Sequence, residues 1–210
     1  EQFCSIADDG GIKFLPDRYV QGVCPACSAE GARGDQCDAC GATYEANELK
    51  DPVSKLNPEI PVEIRETDHL FFRLDLLQGD LENHAAIRKS TWKPNVRAMT
   101  QNWLNMGLRP RAVTRDIEWG VKIPLDDEVW GEKRVYVWFD AVQGYLTCAR
   151  IWSERIAEES GSESDIWRRW WMDSGNLRHI YFMGKDNIPF HTIIWPGILM
   201  ALNRGREGPE

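Results

Sequence analysis

The 210-residue sequence has no apolar run approaching the length of a bilayer span, so no transmembrane helix is expected and no membrane partner with it. Positive charge is also in deficit. Asp and Glu number 33 against 25 Lys and Arg, a net charge of -8. A chain this acidic is not a general nucleic-acid binder; such contact would need a local basic patch, and DNA is not an expected partner. Histidine is scarce and scattered, at His69, His84, His179 and His191. No nucleophile–base set, G-x-S-x-G turn or P-loop is visible, and "SGSES" is not a phosphate loop. Residues 1–11 are polar and acidic and do not read as a secretory signal. Internal repeats and low-complexity tracts are lacking too.

The composition that remains is that of a globular chain, 42% hydrophobic and 28% charged, long enough for one large domain or two small ones. Six cysteines are present. Four form two C-x-x-C pairs, Cys24/Cys27 and Cys37/Cys40, while Cys4 and Cys148 stand apart as free thiols. Two such pairs can place four thiolates around a tetrahedral ion, which points to a structural zinc. Disulfides or redox-active dithiols are the alternatives. The zinc reading implies a reducing, cytoplasmic setting.

Residues 1–66 are loop-rich and hold most of the Cys, Gly and Pro, with too little apolar content for a core that does without a metal. The alternation of Val62 and Ile64 suggests extended chain leading to a strand near 70–74. A helical stretch follows over 76–90. A second begins near Lys93 and Pro94, carries Val96, Met99, Trp103 and Met106 on one face, and stops at Gly107, which suits a C-cap. The segment 109–124 reads as a linker with a basic start, and the charge run 154–165 as a solvated helix end. Beyond the linker, "RVYVWF" (134–139) and "HIYFMG" (179–184) read as buried parallel strands. Helices are expected from Asp140 to about 156, over 165–172, and after Asp186, with a kink at Pro196. Strand–helix–strand–helix implies an α/β fold with a partial parallel sheet.

In open parallel sheets ligands bind beyond the carboxyl ends of the strands. Here those ends read "WFDAVQGY" and "MGKDNIPFH". Asp140 and Asp186 are either helix caps or site carboxylates. His191 and Trp195 share a helix face. Each of Trp138, Tyr145, His191 and Trp195 alone reads as core; together, on two neighbouring strand ends, they read as a pocket.

Four stretches, "FLPDRYVQGVCPACSAEGARGDQCDACGATYEANELKDP", "TRDIEWGVKIP", "VYVWFDAVQGY" and "YFMGKDNIPFHTIIWP", occur together and in order. In this they resemble the methionyl-tRNA synthetase family of class I aminoacyl-tRNA synthetases, over nearly the whole chain. The resemblance implies an α/β fold: a partial Rossmann-type parallel sheet, the second half of the catalytic domain at 114–210, preceded by a small zinc-knuckle α+β insertion at 1–113. It implies a ligase that activates methionine with ATP and Mg2+ as methionyl-adenylate and transfers it to tRNA(Met). Trp138, Ala141, Tyr145, Asn187, His191 and Trp195 would bind methionine, Gly184 and Asp186 the adenylate. Arg115 would be catalytic, stabilising phosphate charge. Cys24, Cys27, Cys37 and Cys40 would hold one structural zinc.

The sequence departs from that family in having Val142 where proline is common and Gln143 where isoleucine is common. A second zinc knuckle found in some members would start at Cys4, but "SIADDGGIK" supplies no partner, so one zinc is expected. The H-x-G-H-type and K-M-S-K-S signatures and the anticodon-binding domain are not in the sequence. The chain is therefore expected to be a fragment, inactive alone. A non-enzymatic zinc module and another class I synthetase are the competing readings. The basic cluster Arg109, Arg111 and Arg115 leaves room for a local tRNA contact.

Overall fold

A computed structural model describes residues 2–6, 12–15, 17–125, 128–161, 163–172 and 177–204. Residues 1–71 with 112–136 form one compact unit, and residues 72–111 with 137–210 form the other. Both units are built from two chain segments.

The first unit is made of short antiparallel ladders. Strand β1 (Gln2–Ile6) lies between β2 (Ile12–Phe14) and β6 (Val62–Arg65). Strand β3 (Val20–Val23) lies between β4 (Ala32–Arg33) and β5 (Lys50–Ser54), with a register shift at Gln21/Val23. Gly22 explains why that shift is possible. A Cβ there would stand 2.3 Å from the Lys50 carbonyl oxygen, so only glycine lets the two backbones approach. The core beneath is small: Leu15, Val20, Cys24, Ala32, Cys37, Tyr44 and Leu49. Two cysteines of the C-x-x-C pairs are thus core residues themselves.

Further along, β7 (Phe71–Phe72) and β8 (Arg111–Ala112) mark where the chain passes from one unit to the other. Strand β9 (Thr114–Arg115) pairs antiparallel with β10 (Arg134–Val135), and the short helix α3 (Glu128–Gly131) stands between them in sequence.

The second unit is helical. A 3-10 turn over Leu74–Leu77 leads into α1 (Gln78–Arg88), and α2 (Pro94–Met106) returns beside it. Pro94 opens α2 and Gly107, at φ 79°, ends it, as the sequence implies. The Gln78 amide serves the same helix end, donating to Leu104 C=O at 3.0 Å and accepting from Leu108 N–H at 2.8 Å. Then come α4 (Val137–Ala141), α5 (Gly144–Ser160), α6 (Arg168–Trp171) and α7 (Trp195–Arg204). A π turn over Phe190–Ile194 precedes α7 next to Pro196, which lacks the N–H of a regular turn. Leu74, Leu77, Leu81, Trp103, Leu104, Ile193, Trp195 and Ile198 belong to one core. Gly197 lets Leu74 come close, since a Cβ would meet its Cδ1 at 3.1 Å. Inside, the Thr100 hydroxyl donates to Thr192 at 2.8 Å, and Thr192 donates to Ile188 C=O at 3.0 Å.

Two expectations do not hold among the described residues. Residues 134–139 are not one buried strand: only Arg134 and Val135 pair, antiparallel, and α4 starts at Val137, which is 50% exposed. Residues 179–184 carry no ladder at all, with Ile180 64% and Phe182 95% exposed. The pairings of β1 with β2 and β6, of β3 with β4 and β5, and of β9 with β10 are all antiparallel. A parallel strand exists only when parallel neighbours take up its N–H and C=O groups; the first run meets only antiparallel β9 and Lys122, and no described strand pairs with the second. The helix expected over 165–172 is shortened to α6, and the strand near 70–74 to β7. No described helix is long and apolar enough to cross a membrane.

Candidate functional site

The four clustered cysteines sit in two similar knuckles. Cys24 follows β3, and the N–H of Ser28 returns to its carbonyl at 3.0 Å; the N–H of Gly41 returns to the Cys37 carbonyl at 2.8 Å. The residue after each second cysteine is left-handed, Ser28 at φ 58° and Gly41 at φ 75°. All four Sγ atoms lie within 4.8 Å of one another. Cys24 to Cys40 is 3.9 Å and Cys27 to Cys37 is 3.7 Å. A tetrahedral ion bound at 2.3 Å requires S···S edges of about 3.8 Å, whereas a disulfide requires about 2.05 Å. The donor set therefore fits a thiolate-bound metal. Burial pushes the Cys24 thiol up, but N–H groups of Cys27 and Ala26 and the Cys27 and Cys37 thiols bring it down to about 7.

Arg115 belongs to the first unit. Its side chain stacks over Tyr136, 4.0 Å from the ring centroid, and Nη1 donates to Thr114 C=O at 2.8 Å and Ala112 C=O at 3.1 Å. Its neighbours in the chain, Thr114 and Asp116, join a buried polar cluster. The Lys133 ammonium donates to Asp116 at 2.6 Å and to Thr67 at 2.8 Å, and Thr67 donates to Asp116 at 2.8 Å. His69 Nε2 lies 3.4 Å from Asp116, and Nδ1 lies 2.9 Å from the Thr114 hydroxyl. Burial lowers His69 to about 4; Asp116 opposes this, and Lys133 and Arg115 add to it.

The remaining candidates lie in the second unit. Tyr145, at the start of α5, has its hydroxyl 2.8 Å from His191 Nε2, and His191 Nδ1 is 2.8 Å from Asn187 C=O. The π turn carries His191. Trp195 is buried and meets Trp171 edge-on at 6.0 Å. Trp138 packs on Phe190 at 5.2 Å. Ala141 is exposed at the end of α4, next to buried Val142. Gly184, Asp186 and Asn187 form the turn that opens the last helix, with Gly184 and Asp186 exposed.

Tyr145, Trp171, His179, Ile180, Tyr181 and Phe182 line an open cavity of about 320 Å³. Tyr181 packs against Tyr145 at 5.0 Å and His191 at 5.2 Å. Tyr181, His179 and Trp171 are not picked out as site residues by the sequence. The H-x-Y alternation of residues 179–181 was the available signal, since in extended chain it puts both rings on one side.

Residues 3–208 match the family described as tRNA synthetases class I (M). The chain belongs to that family. It is 51% identical over 189 residues to the methionine–tRNA ligase of Thermoplasma acidophilum, covering 90% of this chain and 33% of that one. Against the methionine–tRNA ligase of Roseiflexus sp. it is 49% identical over 194 residues, covering 90% and 32%. The chain thus spans about a third of the length of these curated relatives. Its fold resembles Mycobacterium tuberculosis methionyl-tRNA synthetase in complex with methionyl-adenylate, with a TM-score of 0.54 at 22% identity over 96% of this chain and 31% of that one. The free-state structure of the same enzyme aligns with a TM-score of 0.53 at 26% identity, covering 78% and 30%. The resemblance read from the four sequence stretches is thereby shown. The fold is that of class I synthetases, Rossmann-like, with mixed helices and strands.

Proposed function

We propose that this chain is part of a methionine–tRNA ligase, an enzyme that joins methionine to ATP as methionyl-adenylate and passes it to tRNA(Met). The observation that carries the reading is the Tyr145–His191 pair beside an aromatic cavity, in a chain half identical to methionine–tRNA ligases. A phenol and an imidazole bracket a polarizable thioether well, and sulfur–aromatic contacts add modest affinity. Trp138, Ala141, Asn187 and Trp195 complete the amino-acid site in this reading. Gly184 and Asp186 face the adenylate ribose, where a carboxylate accepts from sugar hydroxyls. Arg115 stabilises charge on the reacting phosphate, with Mg2+ arriving on ATP.

Cys24, Cys27, Cys37 and Cys40 hold one structural zinc in the same reading, in an inserted module over residues 1–113. Residues 114–210 supply the second half of the catalytic domain. The exposed run 179–184 then becomes a strand once the rest of the ligase provides neighbours for it. Methionine-dependent exchange of pyrophosphate into ATP tests this division of labour. The chain alone is expected to show none, and the polypeptide containing it with the remaining two thirds is expected to show it. Exchange by the chain alone would overturn the fragment reading. A full-length protein that activates a different amino acid would overturn the substrate.

A further inference from the structure

The polar cluster of the first unit closes around the two residues that flank Arg115. Thr114 is 0% exposed. Its hydroxyl accepts from Leu70 N–H at 3.1 Å and lies 2.9 Å from His69 Nδ1. Asp116 accepts from Lys133 at 2.6 Å and from Thr67 at 2.8 Å, with His69 Nε2 3.4 Å away. In extended chain, residues 114 and 116 share one side and the residue between them faces the other. There the Arg115 guanidinium stacks on Tyr136, 4.0 Å from the ring centroid. That ring is moored to the same cluster. Tyr136 N–H donates to Val113 C=O at 2.8 Å, Val135 pairs with Thr114, and Lys133 stands just before β10 in the chain. Both supports of Arg115, its strand and its ring, thus hang on the contacts of Thr67, His69, Asp116 and Lys133.

From this we infer that Thr67, His69, Thr114, Asp116 and Lys133 are positioning residues, which aim Arg115 at the reacting phosphate. The inference rests on the role proposed above for Arg115 in adenylate formation. Asp116, His69 and Thr114 lie in series like a nucleophile set, but the buried Thr114 hydroxyl meets no substrate, so the cluster acts through Arg115. Stability is a weak explanation for it. A buried ion pair can often be replaced by apolar side chains of similar volume without loss. Apolar contacts do not fix direction, whereas O–H and N–H contacts do. Direction is what a group that stabilises transition-state charge requires, since a misplacement of about 1 Å can cost about 100-fold in rate.

The test is pyrophosphate exchange by the full-length protein, with kcat expressed per folded enzyme. Thr114→Val keeps the shape and removes the hydroxyl. Its kcat is expected to fall about 10- to 100-fold while KM for methionine stays within about twofold. Thr114→Ser, which keeps the hydroxyl, is expected to recover most of that loss. A residue that acts only through Arg115 has nothing left to position once Arg115 is gone. Thr114→Val is therefore expected to lower kcat no further in an Arg115→Ala background, whereas a merely structural role gives losses that add. Asp116→Leu with Lys133→Met replaces the buried charges by an apolar pair and is expected to behave in the same two ways. Wild-type kcat in these variants, or losses that add to that of Arg115→Ala, overturns the inference and leaves the ligase reading standing. Unchanged kcat in Arg115→Ala alone removes the role proposed for Arg115, and the inference with it. No methionine-dependent exchange by the unaltered full-length protein removes the ligase reading as well.

Discussion

Asp116→Asn is the sharpest test of the polar cluster beneath Arg115. Lys133 is 5% exposed, and its ammonium has the Asp116 carboxylate at 2.6 Å and the Thr67 hydroxyl at 2.8 Å. At an effective dielectric of about 20, opposite charges at the Lys133–Asp116 distance attract by about 6 kcal/mol, and the desolvation of both ions offsets much of it. Removing one partner leaves the other charge buried and unpaired, which costs about 3–5 kcal/mol. The substitution keeps the shape of Asp116 and changes only its charge. Lys133→Met alone strands the carboxylate instead, with Thr67 still donating to it. The double variant Asp116→Leu with Lys133→Met should lose much less than the sum of the two single losses. Amide hydrogen exchange at Val135 and Tyr136, whose N–H groups bond Val121 and Val113 at 2.8 Å, reads the stability of this unit locally. A loss below about 1 kcal/mol for Asp116→Asn, with additive single and double losses, would refute the account.

Elemental analysis of the purified chain should find about one zinc, and Cys37→Ser should abolish it along with the exchange protection of the Cys24 and Gly41 amides; retained metal at full occupancy would contradict the four-thiolate set. His69 is held at about 4 against an ordinary 6.5, so the unfolded chain takes up a proton first as pH falls. The stability it secures is complete above about 6.5 and is lost toward pH 4, by at most about 3 kcal/mol, and His69→Gln should flatten that slope in denaturant titrations. Leu81→Ala, at a fully buried position, should cost about 2–5 kcal/mol in the helical unit, measured by exchange of α1 and α2 amides. Gly197→Ala crowds Leu74 and should cost about 1–3 kcal/mol by the same measurement, and a neutral result would show that Leu74 moves aside freely.

Where a signal is local, it was legible. Helix α2 runs from the proline to the glycine that announce it, because Pro94 and Gly107 act through their own backbone. The C-x-x-C spacing determines the knuckles in the same way, since each loop closes on its own carbonyl within four residues. The apolar runs 134–139 and 179–184 misled, because an apolar run says only that burial is available. Whether it becomes strand or helix depends on neighbours it cannot specify. Val137 went into a helix, and Phe182 stayed exposed. The candidate site divides likewise. Tyr145, His191 and Trp195 were named from the sequence, whereas Tyr181 and Trp171 take their meaning from Tyr145 and Trp195, 36 and 24 positions away.

The sequence by itself determined the family, the four metal-competent thiols, the main helices and the residue types of an aromatic, thioether-compatible site. These follow from spacing, from propensity and from conformational rules that act over a few residues. Only the tertiary structure decided that Thr67 would meet Asp116 across 49 positions, that Lys133 would be buried beside them, and that the Tyr145 hydroxyl would lie against His191. Those pairings are set by packing, which brings together groups whose chemistry is visible in the sequence but whose partners are not.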